Sequence, residues 1–412
     1  MKGKRTLLLI AVSIVTICVL IGFLKGYNAI WSIWKIPTMT PHFADLRNLT
    51  GGTESISMGY DPLYFNPQDP WGRPMNQPRF VQYILSILKI NQHHTNFIGI
   101  LFIILFFLGI FISLKEINNI TAIIIAAVIF SPAIVLGIER ANHDLFIFFL
   151  VSLALFISSS PFISMFILLL ASFIKLFPVF ALSYFFKYKK RTQVVIFSVF
   201  IISFLLYIFL NYSDWPQVFK STQKGYGVLA YGVLTYAESS DLVSYESLNL
   251  TSYIPFAAII IGSLTFYANS IYAHGFKKGD DNYIDAFRAG AGIYLGTFSL
   301  GNIWAYRLMF LILVIPQLVS WKNDARRGFI SLMALISVII SCWSMLSSHE
   351  LILAADEICN WVLFATLFYL LISSMPLFLQ NSIIGFISLT TRWSGRTRDL
   401  GEEAKDINRR ST

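Results

Sequence analysis

The sequence predicts an all-α protein, a polytopic bundle of transmembrane helices with a long first loop outside the membrane. Three observations carry this prediction. Of 412 residues, 56% are hydrophobic and only 13% are charged, and the mean hydropathy is +0.66. Soluble domains are about one-quarter charged, so lipid rather than water is the main solvent of this chain. The apolar residues also fall into blocks: residues 6–24 run without a charge, and about twenty apolar residues cross the hydrocarbon of a bilayer. Finally, Lys and Arg gather between the blocks, as they do in cytoplasmic loops.

The first block follows Lys2, Lys4 and Arg5. It lacks a small-residue cleavage site and exceeds the apolar core of a usual signal peptide, so it reads as a retained first helix. Similar blocks lie near 96–114, 120–138, 192–210, 253–272, 304–320, 328–347 and 357–379. The basic clusters Lys2–Arg5, Lys187–Arg191, Lys277/Lys278, Lys322–Arg327 and Arg392–Arg410 are assigned to the cytoplasmic side. One stretch resists this scheme. With 144–158 returning to a short inner turn, a single helix over 161–186 would leave Lys187–Arg191 outside. Splitting it into a rising 161–174 and a descending 177–186 resolves the conflict, with the break at Lys175-Leu-Phe-Pro178. Proline cannot continue the helical ladder, and a broken helix facing a wet cavity accommodates the lysine. The chain then makes about twelve crossings, ten at the fewest, with both termini cytoplasmic. Residues 1–380 form the transmembrane domain and 381–412 a charged cytoplasmic tail.

Residues 25–94 form the first exterior loop and 212–251 a second. The segment GYDPLYFNPQDPWGRPMNQPRF (59–80) is rich in Pro, Gly, Asn and Asp and reads as ordered turns. Val81–Ile90 is apolar and lies along the interface. The second loop carries Tyr212, Trp215, Tyr226, Tyr231, Tyr236 and Tyr245, with Tyr253 at the edge of the next span. Interfacial anchoring and sugar stacking both account for them. Cys18, Cys342 and Cys359 fall inside apolar spans without metal spacing, as buried thiols do. The net charge of +9 follows from basic loops beside anionic lipid and calls for no nucleic acid.

Four places carry candidate chemistry. Asp45, in Phe43-Ala-Asp-Leu-Arg47, is a carboxylate just outside the membrane, able to take a proton from a hydroxyl; a pair with Arg47 or a helix cap is the alternative. Asp61 and Asp69 each precede proline and read as turn residues. Glu139-Arg-Ala-Asn-His-Asp144 is denser in charge than a connector requires. There Glu139 and Asp144 would orient Arg140 to grip a phosphate, with Asn142 beside them and His143 as a hydrogen-bonding residue. Lys175 sits at the predicted break. Arg307, in Gly301-Asn-Ile-Trp-Ala-Tyr-Arg307, starts a late span from outside, where snorkelling to the interface is the alternative. Three cations on one face suggest an anionic headgroup with a base beside it. No metal-ligand spacing and no Gly-rich nucleotide cradle is present.

These residues resemble the GT-C superfamily of membrane glycosyltransferases, and within it the bacterial polyprenol-phosphate-mannose-dependent α-mannosyltransferases and their uncharacterised relatives. The resemblance rests on the early exterior Asp45, the E-R-x-N-x-D segment (Glu139, Arg140, Asn142, Asp144), K-x-x-P (Lys175, Pro178) and N-x-x-x-Y-R-L (Asn302, Tyr306, Arg307, Leu308). Ala141 stands where relatives often have glycine. The resemblance implies inverting transfer of a hexose such as mannose from a polyprenyl-phosphate-linked donor to a lipid or glycan acceptor, outside the plasma (bacterial inner) membrane. Asp45 would be the base. Arg140, Lys175 and Arg307 would stabilise the departing phosphate, with Glu139, Asn142, Asp144 and Tyr306 as further binding residues and no cofactor or metal. A transporter or flippase of a lipid-linked sugar or anion, a polysaccharide polymerase or ligase, and a structural subunit whose polar loops serve a partner remain the competing readings.

Overall fold

The computed structural model describes residues 2–235, 253–274, 282–347, 349–376, 378–380 and 385. Among them the chain is mostly helical, with almost no strand. Tyr236, Tyr245, Lys277, Lys278 and the basic clusters of the tail lie outside the described residues.

Long apolar blocks become long helices. Among the described residues, five helical runs are long and apolar enough to cross a membrane: Lys2–Lys25 (α1), Gln92–Ser113, Lys190–Leu210 (α10), Gly328–Leu346 and Glu350–Ser374 (α16). The block at 120–138 becomes two helices, Asn119–Ile129 (α6) and Pro132–Glu139 (α7), bent by 54°. The bend falls where Ser131 is extended and Pro132 opens the second helix, since proline fits the first turn but not the interior of a ladder. Counted together, that pair makes a sixth candidate span.

The remaining apolar stretches are shorter. Asp144–Phe156 (α8) and Pro161–Ile174 (α9) are followed by a 3-10 segment over Phe177–Lys187. The break predicted at Lys175 is there: Lys175 is extended, and Pro178 sits at the start of the 3-10 segment. The block at 304–320 is not one helix. It divides into a 3-10 segment, Ala305–Leu313, and a short helix, Ile315–Trp321 (α14), both nearly wholly buried. In place of the single helix expected there, the block is a broken element of the core.

The helix Ile284–Ser299 (α13) was marked by no apolar block, yet it is buried along most of its length. It packs against Phe177–Lys187, Ala305–Leu313 and α16. Its small residues permit this approach: a Cβ on Gly292 would strike the Phe180 carbonyl, and one on Gly296 the Phe180 ring. Its charges are partnered, Asp285 with Lys187 at 2.9 Å and Arg288 with Ser374.

The first loop folds onto this bundle as helices Tyr27–Ser32 (α2) and Ala44–Ser57 (α3), turns over 58–78, and helix Arg79–Ile87 (α4). The turns are pinned by Asn66, whose amide donates to the Asn48 and Arg73 carbonyls while its oxygen accepts from Ser55. Along α4, Val81 and Gln82 point inward, whereas Phe80, Tyr83, Ile84 and Ile87 are exposed, an apolar outer face of the kind an interfacial helix presents. Arg79 clamps the loop: it bonds Asp61 on one side and Asp214, just before helix Trp215–Ser221 (α11), on the other.

The second loop is stapled to the late core. Ala230–Tyr231 (β1) pairs antiparallel with Ile303–Trp304 (β2), Ala230 opposite Trp304. Asn302 donates to the Gly225 carbonyl and the Trp304 indole to that of Gln223, both at 2.9 Å. Tyr231 is a core residue rather than an anchor or a stacking platform. It is 1% exposed, stacks on Tyr294 and bonds Thr297. Tyr212 and Tyr226 are exposed.

Candidate functional site

Asp45 stands in the first turn of α3, entered through Phe43 in the left-handed region. Its peptide is held from both sides: the Ala44 carbonyl accepts from Arg73 Nη2 at 2.6 Å, and the Asp45 N–H donates to the Arg140 carbonyl at 3.2 Å. Its Oδ2 accepts from Asn142 Nδ2 at 2.6 Å. The alternative pair with Arg47 does not form, since Arg47 bonds the His42 carbonyl and Gln92.

The segment after α7 makes a tight reversal. Ala141, where glycine was expected from the resemblance, is buried with φ 45°, the left-handed conformation that glycine enters most cheaply. This turn brings Asn142, His143 and Asp144 onto one side. Asn142 Oδ1 accepts from the Asp144 N–H at 2.9 Å and from Lys175 at 3.4 Å.

Asp144 is fully buried and carries two cations. Lys175 Nζ lies 2.6 Å from Oδ1 and Arg307 Nε 3.0 Å from Oδ2. The Arg307 guanidinium also covers the Phe177 ring at 4.2 Å. It therefore does not snorkel to an interface. The expectation that Asp144 helps orient Arg140 is corrected. Arg140 is held by Glu139 (3.3 Å) and by the Pro37 carbonyl (2.8 Å), because the turn at Ala141 swings Asp144 toward Lys175. Glu139 is itself buried and accepts from the Met39 N–H.

His143 is 6% exposed and faces Gln77 at 3.2 Å. Burial first, then the Lys175 and Arg307 charges, lower its pKa to about 3 against the pull of Asp144, so its ring is neutral at ordinary pH.

These groups meet at one cavity of about 750 Å³. Asp45, Arg140, Asn142, His143, Lys175, Tyr306 and Arg307 line it, while Glu139 and Asp144 stand behind the cations they hold. Tyr306 is nearly buried and stacks beside Trp304. Part of the wall is a run of touching rings, Phe173, Tyr207, Trp215 and Phe219. Among the second-loop aromatics, Trp215 thus belongs to the cavity.

Sequence reasoning missed Arg73 and Trp71, which also line the cavity. Asp69 is the turn residue expected: its carboxylate accepts from the Trp71 and Arg73 N–H groups. The same carboxylate grips the Arg73 side chain in a two-bond fork at 3.0 and 2.8 Å. The available signal was an arginine in a rigid Pro/Gly turn four residues after an aspartate. Among the described residues no group of His, Cys, Asp and Glu has the arrangement of a metal site.

No family model matches this chain, and neither a curated protein nor a solved structure does.

Proposed function

We propose that this protein transfers a sugar from a polyprenyl-phosphate-linked donor to a lipid or glycan acceptor on the extracytoplasmic face of the plasma (bacterial inner) membrane, with inversion. The observation that carries the reading is the single cavity lined by Asp45, Arg140, Lys175 and Arg307, four residues from separate stretches of the chain. In this reading the shorter apolar helices complete about twelve crossings, and both termini are cytoplasmic.

Asp45 accepts the proton of the acceptor hydroxyl as that oxygen bonds to the anomeric carbon. The bond from the anomeric carbon to the phosphate oxygen breaks, and polyprenyl phosphate leaves with its electron pair. Two cations sharing the one carboxylate of Asp144 leave positive charge where the departing phosphate gathers its negative charge. Arg140, with Glu139 behind it, adds a further donor. The aromatic wall suits the apolar chain of the donor, and Trp304 and Tyr306 suit a sugar face.

The test is transfer from polyprenyl-phosphate-linked mannose, other hexoses and pentoses in reconstituted vesicles. Asp45→Asn is expected to lower the rate by about 10²–10⁴, the usual scale for a general base, with membrane insertion intact. Full activity in that variant removes Asp45 from the role. A transporter or flippase is the second reading, favoured by the helix break at Lys175. It predicts movement of the lipid-linked sugar across the vesicle with no new glycosidic bond.

A further inference from the structure

We infer that Arg73 is a positioning residue for Asp45, an inference that rests on the transfer reading above. Three observations converge on it. Its Nη2 holds the Ala44 carbonyl at 2.6 Å, which is the carbonyl of the peptide that bears the Asp45 N–H. That N–H is held from the opposite side by the Arg140 carbonyl, so the peptide plane is fixed between two segments distant in the chain. The remaining terminal nitrogen, Nη1, lies 3.9 Å from Asp45 Oδ1, on the carboxylate oxygen that Asn142 does not hold.

Arg73 is also immobilised from behind. Nε and Nη2 are both on Asp69, whose side chain is fully buried, and the guanidinium lies 4.7 Å from the Trp71 ring. A guanidinium that merely stiffened the turn would need only the Asp69 fork. This one also bonds the Ala44 carbonyl, brings Nη1 within ion-pair distance of the Asp45 carboxylate, and lines the cavity. The order of contact is then Asp69 to Arg73 to Asp45. Asp69, which does not line the cavity, acts through Arg73. Asp45 must sit within reach of the acceptor proton, and displacements near 1 Å cost about a hundredfold in rate.

The experiment compares Arg73→Ala, Arg73→Lys, Asp69→Asn and the double variant Asp69→Asn/Arg73→Ala in vesicles supplied with polyprenyl-phosphate-linked mannose and membrane lipid extract. Thermal melts accompany each to verify folding. Arg73→Ala is expected to lower kcat about tenfold to a hundredfold, leaving KM for the donor within about twofold. Guanidinium, added below denaturing concentration, restores part of kcat in Arg73→Ala and none in Asp45→Asn. Arg73→Lys keeps an intermediate rate, and the double variant is no slower than Arg73→Ala. A wild-type kcat in Arg73→Ala overturns the inference, as does a loss that guanidinium and lysine both leave unrepaired. Absence of transfer by the unmodified protein with every donor tried sinks the transfer reading and this inference with it.

Discussion

Asn142 donates a 2.6 Å hydrogen bond to Asp45, joining the first turn of α3 to the reversal after α7. Its amide oxygen accepts from the Asp144 N–H and from Lys175. One side chain thus couples the proposed base to the cation cluster. Asn142→Ala is expected to lower transfer about tenfold to a hundredfold. Asn142→Asp, which sets a carboxylate against Asp45, is expected to be slower still. Rates for the two variants in the reverse order would show that the amide does not orient the base.

Replacing Asp144 by Asn leaves Lys175 and Arg307 without their shared anion in a site where their side chains are 16% and 12% exposed. Breaking a buried pair from one side costs about 3 kcal/mol or more, read as a lower melting temperature in detergent. Asp144→Asn/Lys175→Met removes one of the stranded charges and is expected to regain part of that loss. A double variant less stable than Asp144→Asn would refute the shared-anion account.

His143 provides a pH prediction. Its folded value of about 3 lies below the ordinary value near 6.5. As the pH falls, the unfolded chain therefore takes up a proton before the folded one does. The contribution is fully present above about pH 6.5 and is lost progressively toward pH 3. Melting temperatures of the unmodified protein are expected to drop more steeply between pH 7 and pH 5 than those of His143→Gln. Equal slopes would place the pH sensitivity elsewhere.

The Asp61–Arg79–Asp214 clamp joins two segments that border the cavity, the turns over 58–78 and the stretch leading into α11. Arg79→Ala frees α4 from α11 and leaves Asp214 buried without its partner. Faster cleavage within residues 58–78 by an added protease in detergent, with the long apolar helices unchanged, is the expected result. A digestion pattern like that of the unmodified protein would mean that other contacts hold the loop.

On α13, Gly296→Leu drives a side chain into the Phe180 ring. Overpacking of this kind costs about 1–3 kcal/mol, and folded yield in detergent is expected to fall. Gly262→Leu, at a position open to its surroundings, is the control.

Much of the helical layout was legible because a long apolar run has few alternatives. The charged residues at Glu139–Asp144, Lys175 and Arg307 were legible for the converse reason, since a charge amid apolar sequence is costly. Partner choice was not legible: whether Asp144 serves Arg140 or Lys175 depends on the left-handed turn at Ala141, a tertiary outcome. Arg73 was hidden inside a turn whose Pro and Gly already had a sufficient explanation. The helix α13 was hidden because the glycines and alanines that let it pack so closely also mute its apolar signal. Tyr231 was misjudged because exposure is decided by the strand it joins.

That small sheet also orders events during synthesis. The chain emerges from its amino end, so Asp45, Arg73, Asn142 and Lys175 are synthesised while β1 still has no strand to meet. The ribosome delivers β2 and, three residues later, Arg307. The growing chain therefore carries Asp144 and Lys175 before it carries Arg307, and that carboxylate gains its second cation only once β2 has been made.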